Sequence, residues 1–311
     1  MNRYSSTLLL LLGATLLGGC QQSGLAGPSA SPDRSPTTAA PSPAKTPAAP
    51  ARKGEPTFSI STEGENLTLT RTQLLAHPAL QSLTITDKAA YQGKTLTFQA
   101  VPINALFEGL PMDDKKDIEF DSLDGFSASL DPKLLLNTDP KGSIAYLAVE
   151  DPAQPWPKLG NGGTAGPLYL VWKNPELSKV GQEQWPFQLR SFTIKAPVEE
   201  RFPALLPAAD LAPDHPARLG YEVFVKNCFA CHTLNGEGSG RLGPDLNEPY
   251  SPTEYLHEEY LRKLVRDPQS LRHWKGSKMS AFSEASLPER DLDRLIAYLK
   301  HKAEQRRATA S

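Results

Sequence analysis

Two thiols and an imidazole stand together in Asn227-Cys228-Phe229-Ala230-Cys231-His232. This is the C-x-x-C-H spacing in which both thiols form thioethers with the vinyl groups of a haem and the adjacent His232 coordinates the iron. Two intervening residues place both sulfurs along one porphyrin edge and leave the next side chain aimed at the metal. Other cysteine chemistry needs other neighbours. A thioredoxin-type pair calls for a βαβ setting, and a zinc site calls for a second pair of ligands. Neither is evident in the sequence around the motif.

The remaining composition narrows the options. Three cysteines in 311 residues exclude a disulfide scaffold and any four-thiolate zinc or iron–sulfur site built from one chain. The 33 basic residues are balanced by 35 acidic ones, so no basic field for a nucleic acid partner is present. The length suits two domains, and 29 prolines require stretches that are unpacked or rich in turns.

Helical elements must position the motif. Pro216 suits the first turn of a helix whose apolar residues Leu219, Val223 and Phe224 recur at helical spacing and run into Cys228. A loop with Gly236, Gly238, Gly240 and Gly243 follows His232, then Pro244-Asp245-Leu246. Ser251-Pro252-Thr253-Glu254 reads as a capping box opening a second helix, with Tyr260, Leu261, Leu264 and Val265 as its buried face and Asp267-Pro268 as its stop. Ser286-Leu287-Pro288-Glu289 repeats the device before a last helix carrying Leu292, Leu295, Ile296 and Leu299.

Residues 217–304 so arranged resemble a class I cytochrome c domain. The resemblance implies one covalent haem c and a close crossing of the first and last helices, for which Gly220, Phe224 and Tyr298 occupy the matching places. It implies that the Pro244 carbonyl orients His232, and that Met279, in Lys278-Met279-Ser280-Ala281-Phe282, is the sixth iron ligand. The family usually has Met-Pro there; this chain has Met-Ser. The alternatives are Met279 as an ordinary packing residue, with His257, His273 or His301 as the sixth ligand or with no sixth ligand at all. With Met and His both bound, the implied role is electron transfer through an exposed haem edge near the thioethers, with no catalysis of its own.

The amino terminus carries a different signal. Arg3, the apolar run Thr7 to Leu17, and Leu17-Gly18-Gly19-Cys20 resemble a bacterial lipoprotein signal peptide over residues 1–19, with Cys20 as the lipidated residue. The run is too short to span a bilayer. Gln21 after the cysteine resembles lipoproteins sorted to the outer membrane, so the expected location is the periplasm, lipid-anchored there. Residues 20–56 are dominated by Pro, Ala, Ser and Thr and read as a disordered tether, able to extend about 3.1 Å per residue.

Residues 57–197 read as a mixed α+β domain. Leu67-Thr68-Leu69-Thr70, Thr95-Leu96-Thr97-Phe98 and Phe192-Thr193-Ile194 alternate as strands, while Ile103 to Phe107 suits a short helix. Tyr91-Gln92-Gly93-Lys94, Asp124-Gly125-Phe126, Ala145-Tyr146-Leu147-Ala148, Gly166-Pro167-Leu168-Tyr169 and Trp185 before Arg190 resemble, in order, the sulfite-oxidase-like molybdopterin-binding fold. That family ligates molybdenum through a cysteine, and this segment has none, which implies a fold relative without the metal. Trp156, Trp172 and Trp185 read as core aromatics, His77 as a turn residue, and Asp113-Asp114-Lys115-Lys116 as a solvated loop. Residues 198–216 read as a linker lying over the surface, and 305–311 as a disordered tail.

The sequence therefore predicts a multidomain chain, mixed α+β followed by all-α: a membrane-anchored monohaem carrier of single electrons between redox protein partners. The alternatives are an electron-transfer fusion with a pterin- or molybdenum-dependent oxidoreductase, a haem-based ligand sensor, or a structural lipoprotein stabilised by its haem.

Overall fold

The computed structural model describes residues 54–160, 162–273 and 276–310. The predicted signal peptide, Cys20 and the tether up to residue 53 lie outside the described residues. Among the described residues no helix is long and apolar enough to cross a membrane.

Residues 57–195 form nine strands: β1 Thr57–Ser61, β2 Asn66–Thr70, β3 Gln81–Thr86, β4 Thr95–Pro102, β5 Asp117–Ser122, β6 Ser127–Leu130, β7 Ile144–Val149, β8 Leu168–Lys173 and β9 Leu189–Lys195. They make one sheet in the order β2-β1-β9-β5-β6 and another in the order β3-β4-β7-β8. All pairings are antiparallel except β1 with β9. The helices of this part are single turns: α1 Arg71–Leu75, α2 Ile103–Leu106 and α3 Pro132–Leu135. The expected balance of helix and strand therefore shifts to a predominantly β domain.

The two kinds of strand pattern have different causes. On β3, Leu83 and Ile85 point inward and their neighbours outward, as one-sided burial requires. On β7 and β8, Ala145 to Val149 and Leu168 to Trp172 are buried throughout, because α1, α2 and α3 cover the face of β7 that would otherwise meet solvent. Trp172 and Trp185 are buried and Trp156 packs on the same core, as expected of core aromatics.

The carboxy-terminal part is helical: α4 Val198–Arg201, α5 Pro216–Asn227, α6 Pro252–Tyr255, α7 Glu258–Arg266, α8 Pro268–Leu271 and α9 Glu289–Ala310. Helices α5 and α9 cross where Gly220 lies. A Cβ at Gly220 would stand 2.0 Å from the Arg294 carbonyl oxygen and 2.7 Å from Tyr298 Cβ, so only glycine permits this approach. Phe224 and Tyr298 stack beside it with ring centroids 5.4 Å apart.

Four sequence expectations are corrected. First, residues 198–216 run over the surface only in their second half, where Leu206, Ala209, Asp210 and Ala212 to Asp214 are exposed; the first half packs inward. Val198 and Leu205 are buried in the helical core, Phe202 packs edge-on against Phe229, and the Tyr298 hydroxyl donates to the Leu205 carbonyl at 2.5 Å. Second, the helix expected from Ser251 to Asp267 is two helices. The Ser251–Glu254 capping box forms, but Leu256 is extended (φ −110°, ψ 135°) and a new helix begins with Glu258 and Glu259 at its amino end; Tyr260 is exposed. Third, the second capping box does not form. The Ser286 hydroxyl turns back to Ser283, and Glu289 pairs with Arg262 and Arg266 at 2.6 and 2.7 Å. Fourth, residues 305–310 are not a disordered tail but the last turns of α9, held by Arg306 and Arg307 on Glu254 at 2.6 and 3.0 Å.

The β part and the helical part pack directly on each other. Ala230, inside the Cys-x-x-Cys-His motif, belongs to the hydrophobic core of the β domain, and its carbonyl accepts from Ser127 N–H at 3.4 Å. Beside it lies a charge cluster that periodicity could not show. Glu119 on β5 is 2% exposed and binds Lys195 on β9, Arg201 on α4 (2.6 Å) and the Ser239 hydroxyl of the glycine-rich loop (2.8 Å). Arg201 also donates to Ser129 Oγ at 2.7 Å and lies over the Phe202 ring.

Candidate functional site

Helix α5 ends by delivering the cysteines. The Cys228 N–H donates to the Phe224 carbonyl at 2.8 Å, and the N–H groups of Cys231 and His232 both return to the Cys228 carbonyl at 3.1 and 3.0 Å. This last turn brings both thiols and the imidazole to one place. The following loop folds back along it: Gly243 N–H donates to the Cys231 carbonyl and Leu246 N–H to the Thr233 carbonyl, each at 2.9 Å. The Asp245 carboxylate holds the loop by accepting from the N–H groups of Gly236 (2.8 Å), Asn247 (2.7 Å) and Glu248 (2.8 Å).

His232 is thereby oriented. Its Nδ1–H donates to the Pro244 carbonyl at 2.7 Å, which fixes the tautomer and leaves the Nε2 lone pair for a metal. Burial holds the ring below the usual histidine range, so the neutral, ligating form prevails at neutral pH. Gly243 lies against the ring, where a Cβ would stand 2.3 Å from Cε1; a side chain here would displace the imidazole.

Both cysteines are free thiols and half-buried. Burial pushes them up, and the nearby Glu183 carboxylate adds to the effect; Cys231 reaches about 12. Neither is a thiolate at neutral pH, the opposite of the lowered thiol in a reactive redox pair. Among the described residues no group of three or more His, Cys, Asp or Glu side chains is placed to hold a metal ion. The donor set thus departs from both the thioredoxin-like and the zinc readings.

Met279 lies in the loop between α8 and α9, half-buried and packed against the helical core. That loop is anchored after the methionine. Phe282 N–H donates to the Val265 carbonyl at 3.1 Å, and Arg266 donates to the carbonyls of Phe282 (3.0 Å) and Leu287 (2.6 Å). Arg266 thus ties down the loop after Met279, a role without a sequence signature because its partners are backbone oxygens. The other histidines are placed differently: His257 and His273 are exposed, and His301 Nε2 accepts from Ala208 N–H at 3.1 Å.

Arg266→Ala is expected to loosen this loop without unfolding the domain. Its expected signature is a lower thermal midpoint of about 2 to 8 °C for a loss near 0.5 to 1 kcal/mol, with a weakened sulfur-to-iron charge-transfer band. An unchanged band on visible spectroscopy would show that Arg266 does not position Met279.

The β domain forms one wall of the site. A cavity of about 710 Å³ is bounded on the helical side by Cys231, Leu242, Ser277, Lys278, Ser280 and Ala281, and on the β side by residues that include Asp124, Phe126, Glu183, Trp185 and Phe187. The residues flanking His232 and Met279 thus open toward the β domain. Cys231 lines a space that it shares with the β domain.

A motif that binds haem through two thiols, set on crossing helices with an oriented histidine, defines a c-type cytochrome domain. Residues 217–303 match the cytochrome c family. Cytochrome c2 of Agrobacterium tumefaciens (strain II Chrys) is 33% identical over 105 residues, an alignment covering 28% of this chain and 93% of the relative. The chain belongs to the cytochrome c family through this carboxy-terminal domain, and one covalent haem c is its cofactor. The residues fit that group: two protonated thiols sit beside a histidine whose Nδ1 is committed to the Pro244 carbonyl, and Cys231 lines a cavity with room beside it.

Proposed function

We propose that this protein is a membrane-tethered periplasmic monohaem cytochrome that carries single electrons between redox protein partners. In this reading Cys228 and Cys231 form the thioethers, His232 and Met279 ligate the iron, Pro244 fixes the imidazole, and Cys20 bears the lipid. The observation that carries it is the His232 Nδ1–H bond to the Pro244 carbonyl, since it presets one ring nitrogen for a metal in a chain with the covalent-haem motif. Haem bound there supplies a one-electron couple. The protein's own residues hold its orientation, keep the imidazole neutral, restrain Met279 through Arg266, and screen the thioether side with the β domain.

The β domain is read as a fold relative of the sulfite-oxidase-like proteins that lacks the molybdenum-binding cysteine and serves to position and shield the haem. The packing of Ala230 into its core, and the Glu119 cluster, support a positioning role over a freely docking one. The second reading, a pterin- or molybdenum-dependent oxidoreductase fusion, predicts stoichiometric molybdenum in the purified protein.

Met279→Ala tests the ligation. Losing a thioether ligand that raises the potential is expected to lower the midpoint, abolish the charge-transfer band in the oxidised state and open the reduced iron to carbon monoxide. An unchanged potential and band would remove Met279 from the site. Mass spectrometry of the membrane fraction before and after Cys20→Ser checks the anchor, which is expected to be lost in the variant.

A further inference from the structure

We propose that Glu183, a residue of the β domain, sets the potential of the haem and binds the proton that accompanies each electron. The proposal rests on haem attachment at Cys228 and Cys231. Glu183 lies in the one-turn 3-10 helix Gln182–Gln184, between β8 and β9. That turn is held on three sides. Trp172 Nε1–H donates to the Gln184 carbonyl at 2.7 Å, Gly181 N–H donates to Gln184 Oε1 at 2.8 Å, and Lys226 Nζ donates to the Lys179 carbonyl at 3.0 Å. The last contact ties the segment to the end of α5, two residues before Cys228.

The turn so held places Glu183 on the wall of the cavity that Cys231 also lines. It is the foremost charged neighbour of both thiols. Its own hydrogen bond is a long one, from Gln182 Nε2 at 3.3 Å, and among the described residues no cation pairs with it. The other charged groups facing this space are Lys88 from the β3–β4 turn, Asp124 from the β5–β6 turn and Lys278 from the Met279 loop, with Lys179 and Lys226 behind. Lys88 is engaged by Glu176 at 3.5 Å, and Lys226 by the Lys179 carbonyl.

A carboxylate fixed beside a haem favours the oxidised state, which carries one more positive charge than the reduced state, and so lowers the potential. When one electron arrives from a redox partner, that attraction falls and Glu183 takes one proton from solvent; reoxidation releases both. Burial already pushes this carboxyl up to about 7, opposed in part by the Gln182 hydrogen bond, so the exchange falls at working pH.

The experiment is a spectroelectrochemical titration of the full-length haem-loaded protein from about pH 5.5 to about pH 8.5, a range that brackets a raised carboxyl. The wild-type potential is expected to fall as pH rises, approaching about 59 mV for each tenfold change in proton activity, the value for one proton per electron. In Glu183→Gln the slope is expected to vanish in this range and the alkaline potential to rise above wild type. Gln182→Leu, which keeps the carboxyl, is expected to move the inflection to higher pH. Identical potentials and slopes in wild type and Glu183→Gln would overturn the proposal, as would a slope abolished by Asp124→Asn and retained by Glu183→Gln. The pyridine haemochrome spectrum of the same samples separates the two levels. Lack of covalent haem in the wild type would overturn the attachment and this proposal together, whereas attached haem with potentials indifferent to Glu183 would overturn this proposal alone.

Discussion

Valine in place of Gly220 is expected to destabilise the cytochrome domain by about 3 kcal/mol or more, the upper range for overpacking a closed core. Helix propensity works the other way, since glycine inside a helix is weaker than alanine by roughly 0.5 to 1 kcal/mol. Sterics win here because the atom a Cβ would meet is the Arg294 backbone carbonyl at 2.0 Å, which cannot swing aside as the end of a long side chain could. Helix α9 would have to move off α5, opening the stack of Phe224 and Tyr298 and the Tyr298 bond to Leu205. Because α5 runs directly into Cys228, the loss should also appear as reduced haem incorporation. A melting curve should show a fall of roughly 12 °C or more for a domain of this size. Equal melting points and equal haem content in Gly220→Val and wild type would mean that the crossing is not as tight as the structure has it.

Arg201→Leu is the second large effect, expected to cost about 3 kcal/mol because it takes from a buried carboxylate the better buried of its two cations. Glu119 is 2% exposed, and Arg201 is its better buried partner, at 15% exposure against 37% for Lys195. Burial by itself pushes the Glu119 carboxyl up, but hydrogen bonds from Lys195, Arg201 and Ser239 outweigh it and hold the group below the ordinary glutamate range. A carboxyl lowered on folding stabilises the protein above its unfolded value, and that contribution is lost as the pH falls through the lowered folded value. Wild type is therefore expected to resist acid until below the ordinary glutamate range. Arg201→Leu should start to unfold, or to part its β and helical regions, at a higher pH. Urea denaturation as a function of pH, followed by tryptophan fluorescence and haem absorbance together, measures both. Coincident midpoints in the two proteins across the acid range would show that the Glu119 cluster does not hold the regions together.

Acidification and the potential respond through different carboxylates. Glu119 is held ionised by three donors and acts on stability at low pH, whereas Glu183, without a paired cation among the described residues, is the group proposed to act on the haem. The contrast shows how partners, more than burial, decide what a buried carboxylate does.

The amino-acid sequence by itself determined the chemistry and the local elements. Cys228, Cys231 and His232 were legible because covalent haem attachment needs adjacent residue types at a fixed spacing, and the turn that presents them is completed within a few residues. The first and last helices, the strands β2, β4 and β9, and the first capping box were legible for the same reason, since periodicity and caps are short-range properties. What required the tertiary structure was every relation between distant residues. Glu119 meets Arg201 and Ser239 across 82 and 120 residues, Arg266 reaches the Met279 loop through backbone oxygens, and the start of the stretch 198–216 is anchored because Val198 and Leu205 find partners in the helical core. The Ser286 capping box failed because Glu289 gained two arginines from α7, a stronger offer than a serine N–H. The three-dimensional fold also decided that Cys231 and Ala230 of the motif face the β domain. A motif specifies which atoms can bond to the haem; which surface then covers them depends on how two separately encoded cores pack, and no local pattern records that.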